Sequence, residues 1–347
     1  MCCNFIFNCQ NFREKIALSL IYKKNIRINK IRKSEKIPGI KNFELDLLIF
    51  SEKIAPGSII MINETGTILD LLPGKIENFK IEHNSISFRS LSYYIEFIIY
   101  LNLNTNKKQQ IKLNGIRSVS IDTSLENILY VTLPLVRKIG LRDIRFKVYS
   151  NLHSSFYNTQ IIIFFPKIQI KKEFKLINLG KINKIRIINS FSTEENKLKK
   201  AYIESFFGKY IPKLSLDFKI LDLKISNRNF NFQTTTIISE TTEGCLFGED
   251  ITYIFTKNKR FDCYRILTKI FNSLLEDINV NSCVDKKCHI ILFLKMLYNG
   301  KASNSIIRIG KLTFSDIGFF RDLKKISGTI FSIKYYLRIK SFLIKLQ

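Results

Sequence analysis

Tryptophan is absent from this chain, and proline, histidine and methionine are scarce, with six, three and three residues. Three histidines confine any imidazole nucleophile, base or zinc ligand to His83, His153 or His289. Cysteine appears seven times, an odd number without regular spacing, which excludes a disulfide framework and predicts a reduced, intracellular chain. No apolar run approaches the about 18 residues that cross a bilayer. The longest, Ile161–Phe165 and Ile290–Leu294, suit a strand or a core helix, so no membrane span is expected. The N-terminus, Met1-Cys2-Cys3-Asn4-Phe5, has neither a basic leader nor an unbroken apolar stretch, and it predicts no secretory signal. There is no fixed-period repeat and no low-complexity tract. Acidic residues are also short, 29 against 56 Lys and Arg, for a formal charge of +27. Such an excess repels itself and favours a polyanionic partner: RNA, DNA or an anionic membrane surface.

What is present describes a globular protein. Hydrophobic residues make up 46% and charged ones 24% of 347 residues, a length that predicts two parts. Lys outnumbers Arg, and Ile, Asn and Phe are abundant, a skew that A+T-rich codons produce. It would suit a compact genome such as that of a reduced nucleus. Codon bias supplies Asn as easily as Lys, so it discounts the polyanion argument without removing it.

Periodicity predicts the elements. Phe12–Leu20 reads as a helix and Ile26–Arg32 as a strand with one basic face. A helix is expected around Phe43–Ile49, and two strands about a Thr-Gly turn between Gly57 and Leu69. Residues 86–103 are helical by spacing, and Ile111–Gly115 is a strand. Ser124–Gly140 is helical with a kink or break at Pro134, followed by strands Phe146–Tyr149 and Thr159–Phe165. The character changes near Gly180–Asn183. Beyond it come a strand at Lys184–Ile188, a Lys-rich helix from Ser192 to about Gly208, and strands at Leu214–Ile225 and Thr234–Thr242. A helix near Arg260–Leu275 follows, and Ile290–Lys345 returns to mixed helix and strand. The class is α+β, helices layered on sheets.

Several segments together resemble the RNA 3′-terminal phosphate cyclase superfamily, and more closely its eukaryotic cyclase-like branch of small-subunit ribosome biogenesis. They include Ile31-Arg32 through Pro38-Gly39 to Phe43-Glu44, and Asn63-Glu64-Thr65-Gly66-Thr67 to Pro73-Gly74. Others are Glu82-His83-Asn84 with Arg89, Asn114-Gly115-Ile116, Ser120-Ile121-Asp122-Thr123 and Cys283-Val284-Asp285. The resemblance is dispersed and collinear from about residue 8 to 335. It implies a large domain of repeated helix-on-sheet units, 1–183 and 280–347, interrupted by a smaller inserted α/β domain, 184–279.

The resemblance also sets chemical tests. A cyclase activates RNA through a nucleotidyl-histidine late in the chain, and it cradles ATP phosphates on glycine-rich backbone. No histidine follows His289, and the matching loops, Asn8–Arg13 and Leu152–Asn158, contain no glycine. A side chain there blocks close backbone approach to phosphate. RNA cyclisation is therefore not expected, no cofactor is expected, and Cys283, Cys288 and His289 lack zinc-site spacing.

Phe320-Arg321-Asp322-Leu323-Lys324 resembles a pattern in the cyclase-like branch associated with cleavage of precursor rRNA. Asp322 would serve as base or metal ligand while Arg321 and Lys324 stabilise phosphorane charge. On a helix Asp322 points about 100° away from its neighbour, so a solvated charged surface is the competing reading. For RNA contact the expected residues are Arg13, Lys23, Lys24, Arg27, Lys30, Arg32, Lys181, Lys184 and Arg186, with Lys167, Lys171, Lys172 and Lys197–Lys200 as further basic runs. The expected activity is that of a non-cyclase assembly factor of the small-subunit processome in the nucleolus. Its implied partners are pre-rRNA, a ribosome-assembly GTPase and other processome proteins. The alternative is an endonuclease acting through Arg321, Asp322 and Lys324.

Overall fold

The computed structural model describes residues 5–76, 80–103, 108–150, 159–167, 173–191, 205, 206, 208, 217–224, 232–254, 263–300 and 304–347. The Lys-rich helix expected after Ser192, the loop Leu152–Asn158 with His153, and Lys171, Lys172 and Lys197–Lys200 lie wholly or mostly outside them.

One strand-pairing scheme is used repeatedly. Strands β1 (Phe5–Phe7), β2 (Ile26–Ile28), β3 (Ile59–Ile62) and β4 (Leu69–Leu72) form a sheet in the order β1-β2-β4-β3. Its first pair is parallel and the others antiparallel. Strands β5 (Lys80–Asn84), β6 (Gln109–Gly115), β7 (Arg145–Ser150) and β8 (Thr159–Phe165) repeat this as β5-β6-β8-β7. Strand β9 (Lys175–Leu176) completes a third copy with three C-terminal strands, β14 (Ile306–Ile309), β15 (Phe331–Tyr336) and β16 (Ser341–Leu346). Parallel neighbours need a crossover, and a helix supplies it each time. These are α1 (Phe12–Tyr22) in the first unit and α3 (Leu91–Asn102) in the second. A second helix precedes the closing hairpin, α2 (Asn42–Ile54) in the first unit.

Between β9 and the rest of its unit the chain builds a fourth sheet. Strands β10 (Ile182–Phe191), β11 (Asp217–Lys224), β12 (Phe232–Thr241) and β13 (Leu246–Ile254) pair, among the described residues, with one another alone, with α6 (Cys263–Asn279) against β12 and β13. The third unit then resumes with α7 (His289–Asn299) and α8 (Phe314–Ser327).

Helices α1, α3 and α7 form the centre. Every residue of α3 is buried, and α7 is buried at nine positions, including Leu292, Phe293 and Lys295. A helix that is apolar all round belongs in a core. Here α1 touches α2, α3 and α8, and α3 touches α7.

Local departures from periodicity have tertiary causes. The expected strand Ile26–Arg32 stops at Ile28, because Lys30 and Arg32 take left-handed backbone and Arg32 turns inward to Gly39 and Glu44. Helix α3 begins at Leu91 and not at 86, since Ser85 and Ser87 hydrogen-bond the Tyr94 hydroxyl and the Asp122 carboxylate accepts from Ser90 N. The Ser124–Gly140 stretch is α4 (Leu125–Asn127), a π-turn at Ile128–Thr132, and α5 (Leu133–Lys138). The π-turn lies one turn before Pro134, whose ring would otherwise press on the Tyr130 carbonyl.

The inserted sheet docks on this kinked segment through polar contacts. Asn127 Nδ2 donates to the Gly248 carbonyl at 2.7 Å and to Asp250 Oδ1 at 2.9 Å, and Ser124 N donates to Asp250 Oδ2 at 2.8 Å. A Cβ at Gly248 would stand 2.6 Å from Val131 Cγ2, so the approach requires glycine. Lys287 Nζ closes the network on Asp250 Oδ1 at 2.6 Å and Glu249 at 3.2 Å.

Candidate functional site

A cavity of about 370 Å³ opens where the N-terminal ends of α1, α2 and α3 converge beside residues 121–123. Asn8–Arg13, the glycine-free loop, forms one wall. Asn11 adopts φ 52°, a left-handed conformation that asparagine tolerates better than most residues. Asn11 Nδ2 donates to the Ser315 carbonyl at 2.9 Å, and the Ser315 hydroxyl lies 3.1 Å from Asn11 Oδ1, tying the loop to α8.

This loop is organised around a cation of its own chain. The Lys15 ammonium donates to Asn8 Oδ1 at 3.1 Å and to the Gln10 carbonyl, and pairs with Asp322 Oδ2 at 3.0 Å. Its side chain is 1% exposed. A phosphate-binding loop turns backbone N–H groups toward its anion. Here carbonyl and amide oxygens converge on an ammonium, the opposite polarity.

The rest of the cleft is closed electrically as well. Arg13 Nη1 sits 2.5 Å from Glu96 Oε2, while Nη2 lies 3.0 Å from Glu14 Oε1 and donates to the Tyr100 hydroxyl at 3.2 Å. Burial works against the charge on Arg13, but Tyr100, Glu96 and Glu14 outweigh it and hold its pKa well above the ordinary value. Burial lifts Glu96 above the usual carboxylate range despite Arg13. Arg89 Nε donates to both Asp122 oxygens at 2.8 and 2.9 Å. The guanidinium carbons of Arg13 and Arg89 lie 4.9 and 4.2 Å from the Tyr93 ring centroid, within cation–π range. With Arg32 on Glu44, three guanidinia meet four carboxylates. Among the described residues lining the cleft, no surplus positive charge is left for a triphosphate.

The histidines of the described residues are core groups. His83 Nε2 lies 3.3 Å from Asp46 Oδ1, in a buried cluster where Tyr94 and Ser85 donate to Asp46. His289 Nδ1 is 2.9 Å from Asp316 Oδ2, the carboxylate that also accepts from Thr313 N at the start of α8. Burial pushes the neighbouring Cys288 thiol far up, which suppresses the thiolate.

The structure divides the Arg321, Asp322 and Lys324 constellation. Arg321 and Lys324 are exposed on α8, whereas Asp322 faces α1, its side chain 14% exposed. The reading of Asp322 as part of a solvated helix surface is corrected. The apolar stripe Phe319, Leu323 and Ile326 turns α8 toward the core and carries Asp322 onto buried Lys15. Burial raises the Asp322 pKa, with Lys15 pulling it back.

The expected RNA contacts separate likewise. Arg13 and Arg32 are spent on buried carboxylates. Arg27 makes a bidentate pair with Asp70 at 2.6 and 2.7 Å, and Arg186 lies 3.2 Å from Glu240. Lys23, Lys24, Lys30 and Lys181 are exposed, and Lys184 is half-buried. Lys23, Lys24 and Lys30 border the first sheet, while Lys181, Lys184 and Arg186 belong to the edge and body of β10, in another sheet. Sequence reasoning missed a further basic surface on β5–β8. The alternation Arg145-Phe146-Lys147-Val148-Tyr149, basic and aromatic on one face, was its signal.

The family model described as RNA 3′-terminal phosphate cyclase matches residues 8–333. A probable RNA 3′-terminal phosphate cyclase-like protein of Dictyostelium discoideum is 27% identical over 93% of this chain and 91% of its own length. The human RNA 3′-terminal phosphate cyclase-like protein is 24% identical over 94% of the chain and 88% of its length. The Saccharomyces cerevisiae rRNA processing protein RCL1 is 34% identical over 39% of the chain and 36% of its length. Three like-ordered sheets about a helical centre, a fourth sheet inserted in the third unit, and a family match over nearly the whole length agree. The chain belongs to the RNA 3′-terminal phosphate cyclase family.

Proposed function

We propose that this protein acts in rRNA processing as a non-cyclase assembly factor, binding precursor rRNA through its charge and not cyclising RNA ends. One observation carries the reading: the loop in the place of a phosphate cradle points oxygens at buried Lys15, with Asp322 as counter-ion. Relatives named as rRNA processing proteins support the pathway. The finer assignment is a place in the small-subunit processome of the nucleolus, beside a ribosome-assembly GTPase. The large domain would comprise 1–183 and 280–347 and the inserted one 184–279, a division supported by the sheet pairing.

Two measurements on the purified chain test this. Incubation with labelled ATP and denaturing electrophoresis should show no protein-linked nucleotide, and a stable adduct would overturn the reading. RNA affinity should fall steeply with salt, by about 0.7 in log–log slope per phosphate neutralised on a single strand. A flat salt dependence would reduce the net charge to codon-driven decoration. The endonuclease alternative requires an available Asp322 carboxylate, and the Lys15 pair supports a positioning role instead.

A further inference from the structure

The solvent face of the second sheet has a composition unlike that of a plain solvated surface. Strand register sets its side chains in rows. Lys80, Gln110, Phe164 and Arg145 stand side by side, then Glu82, Lys112, Ile162 and Lys147, then Asn84, Asn114, Gln160 and Tyr149. The opposite face holds buried Ile81, Ile111, Leu113, Ile161 and Ile163. On the two edge strands Lys80, Glu82, Asn84, Arg145, Lys147 and Tyr149 are exposed, while the central Gln110, Lys112, Ile162 and Phe164 are half-buried and Asn114 is buried. A groove of about 830 Å³ lies at the end of the sheet that carries the first row, lined by Lys80, Lys108, Arg145, Lys147 and Phe164 among others, with Tyr149 outside it.

Charge and aromatics are interleaved there. Lys80, Lys108, Lys112, Arg145 and Lys147 stand against two carboxylates, Glu82 and Asp143, and only Lys112 has an ion pair among the described residues, 2.9 Å to Glu82. Lys147 Nζ sits 5.7 Å from the Phe164 ring centroid, and Tyr149 is 45% exposed. Phe164 lies four residues along β8 from Gln160, the partner of Tyr149, so the rings are about 13 Å apart along the strands. The exposed Tyr149 ring and the half-buried Phe164 ring, flanked by lysine and arginine, present π-faces to bases and cations to the phosphates between them.

We infer that this sheet face is a platform for single-stranded RNA, with bases stacked on Phe164 and Tyr149 and the backbone held by Lys80, Arg145 and Lys147. The inference rests on the RNA-binding reading above and deepens it, naming the strandedness of the RNA and the residues. Charge complementarity selects the occupant: Lys80, Lys108, Arg145 and Lys147 line the groove against one carboxylate, Asp143, beside the apolar Phe164, Phe165 and Pro166.

The test uses the full chain, fluorescence anisotropy, an oligouridine of about 12 nucleotides and an RNA duplex of similar length. Phe164→Leu and Tyr149→Leu keep apolar volume but remove the π-face. Each should weaken oligouridine binding about fivefold or more, with duplex binding unchanged within about twofold. Phe164→Tyr, which keeps the ring, should bind as the parent does. Lys147→Gln should weaken both RNAs. Thermal melting of each variant establishes that the sheet is intact. A parent that binds RNA, with leucine variants that bind oligouridine equally well, would overturn the platform while sparing the RNA-binding reading. So would an acidic peptide that displaces RNA while the aromatic substitutions stay silent, which would give the face to a protein partner. A parent that binds no RNA overturns both.

Discussion

Replacing Asp322 tests whether this carboxylate is machinery or mortar. Its Oδ2 lies 3.0 Å from the Lys15 ammonium, whose side chain is 1% exposed, while that of Asp322 is 14% exposed. Removing one partner of a buried ion pair strands the other charge, at about 3–5 kcal/mol. Lys15 keeps Asn8 Oδ1 and the Gln10 carbonyl, so Asp322→Ala should fall at the low end, about 3 kcal/mol. At about 2 °C per kcal/mol for a chain of this size, Tm drops by about 6 °C. The pair itself is costly, because burial raises the Asp322 pKa even against Lys15. Lys15→Met with Asp322→Leu should therefore recover part of the loss, since apolar residues can replace a buried pair, while the Asn8 Oδ1 and Gln10 carbonyl acceptors lose their donor. The assay is urea unfolding of the parent, both single variants and the double variant, which isolates the coupling. Additive effects, or an Asp322→Ala chain as stable as the parent, would refute this. A stable Asp322→Asn chain that loses specific precursor-rRNA cleavage would restore the catalytic reading.

Three further outcomes are expected. Lys23→Gln, Lys24→Gln and Lys30→Gln together should flatten the salt dependence of single-stranded RNA binding by about 2 in log–log slope, measured by filter binding, whereas Arg27→Gln should change stability more than affinity because Arg27 is engaged by Asp70. Gly248→Ala should cost about 1–3 kcal/mol, read by thermal melting, as its Cβ would enter Val131 and Asn127; an unchanged Tm would mean that the inserted sheet does not dock this tightly. Burial lifts the Asp277 pKa from 3.8 to about 6 despite Lys286 at 3.8 Å. A raised folded-state pKa favours the fold below the ordinary value, and that contribution is lost as pH rises through about 6. Asp277→Asn should remove this part of the pH dependence and gain about 1 kcal/mol at neutral pH, and urea unfolding at pH values on either side of the transition would show it; parallel profiles would refute it.

Short-range chemistry was legible before any coordinates. The apolar spacing of Leu91, Tyr94, Ile95 and Ile98 marks α3, because side-chain direction has a fixed period, and the short apolar run Ile161–Phe165 suits the strand β8, although which of its side chains face the core shows only in the structure. The glycine-free loop Asn8–Arg13 and the lack of a histidine after His289 already argued against nucleotide transfer, since both conclusions depend only on which atoms a residue has. Long-range pairing was not legible. The units beginning at Phe5, Lys80 and Lys175 share a strand order without sharing a sequence repeat, because sheet order depends on backbone hydrogen bonds that many side-chain sets satisfy. Nor can composition tell a free charge from a spent one. Arg13 and Lys15 are both adjacent to Glu14 in sequence, yet Arg13 pairs with Glu14 and with distant Glu96, whereas Lys15 pairs with Asp322, over three hundred positions away. In the surplus of basic residues, only the fold decides which are consumed by its own carboxylates and which, like Lys147, remain on an open face, because an ion pair forms where packing brings charges together and removes the water between them.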